Sequence, residues 1–360
     1  MKIQLARSFP VGTRRPHVLV VVPCYNYGQY LRQCVASIVS QTGVTTDVLV
    51  IDDASTDDSA TVAAELAERI PQVRLLRHER NLGHIATYNE GLSTADSDYV
   101  VLLSADDMLA SGALGRATAL MESNRSVGLV YGNPQVFTDD PRLASAGFST
   151  WSVWHGRDWI EAQFRRGLSI IYSPEAVVRT SVHHAAGYYR EELPHSGDLE
   201  MWLRIAAIAD VGRVNGPDQA FRRVHPQSMM QTHYSSALQD LERRGDAYES
   251  FLTTASDSLS GTDALRQIVH RRMSEEAIGL ACSLLERGLP ADEEIGAAID
   301  FARNQYPDFA RLRVWDEFLY RSRRAAQSAP LNERLVGALR AAERDLSNRV
   351  HWRRWRYFGV

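Results

Sequence analysis

The chain has no apolar run of about 18 residues, the least that a membrane-spanning helix needs. Its first residues lack the apolar core of a signal peptide. Cysteine is scarce: Cys24, Cys34 and Cys282 are the only three, and they show no metal-ligand spacing. That excludes a disulfide framework and leads us to expect a reducing compartment, the cytoplasm. There is no basic excess either, with 40 Lys and Arg against 44 Asp and Glu and a net charge of −4, so nucleic acid is not an expected partner. No segment repeats at a fixed period. What remains is ordinary globular content, 44% hydrophobic and 23% charged, in a length that suits a core domain plus an appendage.

Three apolar runs end in polar residues. His17–Val22 stops at Pro23-Cys24-Tyr25-Asn26-Tyr27, Asp47–Ile51 stops at Asp52-Asp53-Ala54-Ser55-Thr56-Asp57-Asp58, and the run from Tyr99 stops at Asp106-Asp107. Their β-branched and aliphatic content reads as short strands. A helical pattern follows the first, with Leu31, Cys34, Val35, Ile38 and Val39 on one face, and another follows the second through Val62, Leu66 and Ile70, with Ser55 or Asp57 as its N-cap. Strand, loop, helix, strand predicts an α/β fold with a mostly parallel sheet and right-handed crossovers. In such sheets ligands bind beyond the carboxyl ends of the strands, so the three polar ends are expected to line one pocket. Taken alone, Asp106-Asp107 is a turn or a helix cap. Together with the other strand ends it becomes an oxygen-rich site suited to Mg²⁺ or Mn²⁺.

The ordered set Val-Val-Pro-Cys-Tyr-Asn, Val-Ile-Asp-Asp-Ala-Ser-Thr-Asp, Asn81-Leu82-Gly83, Asn89-Glu90-Gly91-Leu92 and Leu-Leu-Ser-Ala-Asp-Asp resembles the family 2 glycosyltransferases, over roughly residues 17 to 230. The resemblance implies a GT-A fold and inverting transfer of a sugar from a nucleotide diphosphate donor, UDP- or dTDP-linked, aided by Mn²⁺ or Mg²⁺. It assigns Pro23, Tyr25, Asn26, Asn81, Gly83 and Asn89 to the donor nucleotide. It assigns Asp52 and Asp53 to the base and ribose without saying which meets the base, and Asp106 and Asp107 to the metal, with Asp106 also near the donor. It makes Asp198 the base that deprotonates the acceptor hydroxyl, with Glu200 in reserve, and His225 a further metal ligand. Asp198 as the cap of the helix carrying Met201, Trp202 and Ile205 is the plainer reading, and a basic surface loop is the plainer one for 222–228.

Two positions depart from the family pattern. Ser104 stands where an aspartate is common, and Tyr88 where an arginine helps neutralise the donor, leaving that charge to the metal, backbone N–H groups or an arginine elsewhere. The departures leave room for a non-catalytic nucleotide-sugar-binding protein. A sugar nucleotidyltransferase would need a glycine-rich basic loop after the first strand, which Pro-Cys-Tyr-Asn-Tyr does not supply. The processive members' glutamine-arginine-tryptophan signature is absent, so one transfer per acceptor is expected.

We expect residues 1–16 to be a tail, 17–232 the GT-A domain and 233–360 a helical appendage. In the appendage one helix face runs through Leu265, Ile268, Val269, Met273, Ala277, Ile278, Ala281, Leu284 and Leu285, ends at Gly288 and Pro290, and is followed by helices near 295–303, 309–325 and 332–348. Acceptor binding, homodimerisation and completion of the core are all open to it. Trp151, Trp154 and Trp159 are expected to border the acceptor side, stacking on a sugar or filling a core. The basic and aromatic end, 350–360, reads equally as a peripheral contact with the inner face of a membrane, in keeping with a glycan or lipid-linked acceptor, and as a terminal helix packed on the protein.

Overall fold

The computed structural model describes residues 1–6, 14–138, 140–142, 149–228, 236–255, 259–287 and 292–325, with positions 346, 350 and 354. The expected helix at 332–348, the 350–360 tail and the Gly288–Pro290 stop therefore lie outside the described residues, apart from those three positions.

The chain divides into two units. The first comprises residues 1–160 and 169–228, the second 161–168 and 229–360. The first is built on one sheet. Its strands are β1 (Lys2–Leu5), β2 (His17–Cys24), β3 (Thr45–Asp52), β4 (Val73–Arg77), β5 (Tyr99–Leu102), β6 (Met108–Leu109), β7 (Val127–Phe137), β8 (Thr150–Trp154), β9 (Val177–Arg179) and β10 (Asp210–Arg223). Their order across the sheet is β1-β8-β10-β7-β9-β5-β2-β3-β4, with β6 beside β10. β5, β2, β3 and β4 run parallel. β9 is antiparallel to both neighbours, β5 and β7. The stretch expected to be a tail thus supplies β1, an edge strand on β8.

The helices in this unit are α1 (Gly28–Val39), α2 (Ser59–Arg69), α3 (His84–Ser93), α4 (Ala113–Ser123), α5 (Gly156–Arg166, running into the second unit), α6 (Thr180–Ala186) and α7 (Gly197–Ile208). Val18 to Val22 have at most 2% of their surface exposed. Such strands are apolar on both faces because helices cover both. The expected face of α1 packs there through Leu31, Cys34, Val35 and Ile38, as do Val62 and Leu66 of α2. Asp58 precedes α2 without a side-chain bond. Asp57 does that work, its carboxylate accepting from the N–H groups of Ser59 (2.9 Å) and Gly28 (3.2 Å), so one side chain serves two helix starts. Trp151, Trp154 and Trp159 are buried and fill the core.

In the second unit, α8 (Ala237–Ala255), α9 (Thr262–Arg287), α10 (Asp292–Gln305) and α11 (Arg313–Ala325) are helical. The buried side of α9 carries Leu265, Val269, Met273, Ala277, Ile278, Ala281 and Leu284. No helix of the described residues is long and apolar enough to cross a membrane.

Candidate active site

The loops after β2 and β3 are tied together first. Asn26 has φ 59°, a left-handed conformation that asparagine tolerates. Its Oδ1 accepts from the N–H of Thr56 at 2.8 Å, and its own N–H donates to Ser55 Oγ at 3.0 Å. Pro23 lies in the β2–β3 ladder opposite Ile51. Tyr25 is exposed beyond the strand end.

The two acids that end β3 have different surroundings. Asp52 is fully enclosed, and neither carboxylate oxygen has a hydrogen-bond partner; Arg77 Nε stands 3.7 Å away. Asp53 holds the 78–83 loop. Its Oδ1 accepts from the Leu82 N–H (2.8 Å) and pairs with His78 Nδ1 (2.7 Å), while Oδ2 accepts from the Gly83 N–H (3.1 Å). Asn81 donates to the Asp53 carbonyl at 3.2 Å. The other His78 nitrogen lies 2.8 Å from Glu90 Oε2. Burial opposes a charge on His78, but the bonds to Asp53 and Glu90 outweigh it and raise its pKa. An open pocket of about 460 Å³ beside this triad is lined by Arg77, His78, Glu79, Arg80 and Leu82.

Asp106 and Asp107 stand in the turn after β5. Asp107 Oδ1 accepts from the backbone N–H of Arg223 at 2.8 Å, and burial, then the neighbouring Asp106, pushes its carboxyl well above the usual range. Asp106 Oδ2 lies 3.1 Å from His225 Nε2, and its Oδ1 is buried without a partner. Arg223 braces both acids. Its Nε donates to the Asp106 carbonyl (3.1 Å), Nη2 donates to Gln33 (2.8 Å), and the guanidinium lies over the rings of Tyr30 and Phe137. Among the described residues no three His, Cys, Asp or Glu side chains form a ready metal cluster. Of the expected ligands, Asp107 has its Oδ1 engaged by β10. An orphan Asp106 oxygen beside an imidazole nevertheless fits Mg²⁺ or Mn²⁺, which commonly take one or two carboxylates and complete the shell with phosphate oxygens and water.

Asp198 is the second residue of α7, whose N-cap is Ser196, so it does not cap the helix. Its Oδ2 accepts from Ser173 Oγ at 2.6 Å. Burial raises its pKa, against the lowering by Ser173, Tyr189 and His84. Glu200, the reserve base, is fully buried and clasped by Arg190 Nε at 2.8 Å and Arg204 Nε at 2.8 Å. It has no free path to a substrate. Asn89 is committed elsewhere than expected: its side chain bonds both backbone groups of Tyr189. His84 Nε2 pairs with the Pro194 carbonyl at 2.9 Å. Tyr88 packs edge-on between His84 and Tyr189; burial, then the charges of Asp198, Asp106 and Asp107, raises the pKa of its phenol. The charges of Asp198, Asp106 and Asp107 thus all bear on one buried phenol.

Sequence reasoning passed over His78, Ser173 and the individual role of Arg223. Arg223 lay inside a segment already singled out. Ser173 is 25 residues from its partner and leaves no local pattern.

Residues 19–187 match the glycosyl transferase family 2 model. Two curated relatives are an uncharacterised Mycobacterium tuberculosis protein, MT1568 (29% identity, 54% of this chain, 63% of that protein), and the uncharacterised Escherichia coli glycosyltransferase YibD (30% identity, 48% of this chain, 53% of that protein). The chain thus spans little more than half the length of these relatives. Among solved structures, Staphylococcus aureus TarS 1–349 with UDP-GlcNAc superposes with a TM-score of 0.58 at 16% identity, over 88% of this chain and 93% of that one, which shows the shared GT-A fold. Over residues 19–187, a little under half of its length, the chain is similar to glycosyl transferase family 2.

Proposed function

We propose that this protein is an inverting, metal-dependent glycosyltransferase that moves a sugar from a nucleotide diphosphate donor, UDP- or dTDP-linked, to an acceptor hydroxyl. The observation that carries the reading is Asp106 in the turn after β5, with one carboxylate oxygen 3.1 Å from His225 Nε2 and the other buried without a partner, since that arrangement suits a cation that holds a nucleotide diphosphate.

Asp198 takes the proton of the acceptor hydroxyl as that oxygen attacks the anomeric carbon and the nucleoside diphosphate departs. A carboxyl whose pKa is raised toward the working pH suits that task. Asp106 and His225 would hold a divalent cation, with Asp107 fixed beside them through Arg223, and the cation would supply positive charge to offset the leaving diphosphate. Pro23, Tyr25, Asn26, Asn81 and Gly83 shape the nucleoside side. Asp52 and Asp53 take the base and ribose, Asp53 with both oxygens engaged by the 78–83 loop and Asp52 with both oxygens unpartnered. The acceptor is a glycan or lipid-linked hydroxyl in cell-surface glycan synthesis, reached from the cytoplasm, with 350–360 as a peripheral membrane contact.

The test is calorimetry with UDP, UDP-GlcNAc (the ligand in the TarS complex) and dTDP-sugars, with and without Mn²⁺, followed by transfer assays. Wild type and Asp198→Asn should bind one donor alike in Mn²⁺, and only wild type should turn it over. A folded wild type that binds a donor and never turns it over would favour the non-catalytic reading; transfer by Asp198→Asn would move the base elsewhere.

A further inference from the structure

Ser173 lies outside every motif of the family resemblance, yet its hydroxyl makes a short bond to Asp198. The 2.6 Å separation is that of an O–H donated to a charged oxygen. The serine opens a short turn, Ser173–Glu175, that leads into β9. Several contacts fix this turn. The guanidinium of Arg222 lies 4.7 Å from the centre of the Tyr172 ring. The Tyr172 N–H donates to Glu175 Oε1 at 3.3 Å, and the Ala176 N–H to the Ser173 carbonyl at 3.1 Å. Pro174 and Glu175 are buried. Arg222 adjoins the Arg223 that braces Asp106 and Asp107, so the end of β10 supports both the acid pair and the turn bearing Ser173.

Resting on the reading of Asp198 as the base, we propose that Ser173 is a positioning residue for the transfer. Its hydroxyl holds Oδ2 of Asp198 and so fixes the orientation in which the carboxylate receives the acceptor proton. Ser173 keeps its own proton throughout. The other groups facing Asp198 are Tyr189, from the segment before α7, and His84 and Tyr88, from α3. On α7 itself Glu200 is matched by Arg190 and Arg204. Ser173 and Tyr189 each favour the ionised carboxylate, so removing either donor should make Asp198 harder to ionise.

The experiment is ¹³C NMR of the full chain labelled at aspartate Cγ, with the Asp198 signal assigned from Asp198→Asn. In Ser173→Ala the Asp198 midpoint should move up by about one pH unit, the scale of one hydrogen bond to a charged group. Ser173→Thr, which keeps the hydroxyl, should titrate like wild type. Tyr189→Phe should move the midpoint in the same direction as Ser173→Ala, and serves alone should the alanine variant not fold. Titration of Ser173→Ala, or in its place Tyr189→Phe, at the wild-type midpoint would overturn the proposal. The readout needs neither donor nor acceptor. Transfer of sugar from UDP-GlcNAc by Asp198→Asn would therefore remove the base assignment while leaving the Ser173 contact standing, and the two failures can be told apart.

Discussion

Asn89 and Tyr189 exchange two hydrogen bonds. Asn89 Nδ2 donates to the Tyr189 carbonyl at 2.8 Å, and Asn89 Oδ1 accepts the Tyr189 N–H at 2.9 Å. A primary amide is the side chain that can do both at once. The pair registers α3, next to the donor loops, against the segment that leads to Asp198. Asn89→Ala should cost about 1–3 kcal/mol in urea denaturation, through unsatisfied backbone groups. It should also lower kcat while donor affinity holds. Unchanged turnover would mean that the pair is not what registers the two sides.

The metal ligands should separate by mutation. Asp106→Asn and His225→Ala should each abolish the Mn²⁺-dependent part of UDP binding in calorimetry. Asp107→Asn should weaken it less, because that carboxylate is turned toward the Arg223 backbone. Equal loss from all three would place Asp107 in the first coordination shell.

His78 should make stability depend on pH in a defined direction. Its folded pKa is raised above 6.5, the hydrogen bonds to Asp53 and Glu90 outweighing burial. The proton is held more tightly in the folded state, so the stabilisation is complete below about pH 6.5 and is lost as pH rises through the folded pKa. The Tm gap between wild type and His78→Gln should be widest in mild acid and should narrow in alkali. A gap that widens with pH would reverse the assignment.

Glu200 tests structure against catalysis. Removing its carboxylate takes the anion from the half-buried Arg204 and leaves Arg190 to Glu192 at 3.6 Å, and Glu200→Ala should destabilise the fold by about 3–5 kcal/mol. The milder Glu200→Gln should retain measurable transfer. A folded Glu200→Gln with no transfer would restore Glu200 as the base.

Gly91 marks a close approach of α3 to the sheet. A Cβ there would lie 2.3 Å from Val21 Cγ1 and 2.8 Å from Ile51 Cδ1. Gly91→Ala should cost about 1–3 kcal/mol by overpacking, read as a lower urea midpoint. A neutral result would show that Val21 and Ile51 repack freely.

The parallel half of the fold was legible because its strands are apolar on both faces and each is followed by a helix face that repeats correctly; Leu31, Cys34, Val35 and Ile38 are all buried as expected. The strand at β1 was missed, since Lys-Ile-Gln-Leu is too short to show its period. Tryptophans at 151, 154 and 159 were ambiguous from composition alone, since an aromatic ring serves a core or a ligand equally well. The site was legible where its residues cluster at strand ends, as Asp52-Asp53 and Asp106-Asp107 do. It was not legible where two distant segments meet. Nothing near Asn89 foretells Tyr189, and nothing near Asp198 foretells Ser173. Pairing of that kind is fixed by tertiary packing and leaves no trace in local sequence.

β9 is three residues long, and it meets β5 and β7 through two paired positions on each side. Registry between the two halves of the sheet therefore also rests on contacts that bypass this seam, β6 on β10 and the Arg223 N–H on Asp107. A shift of register at the end of β10 would be felt at once in the turn after β5.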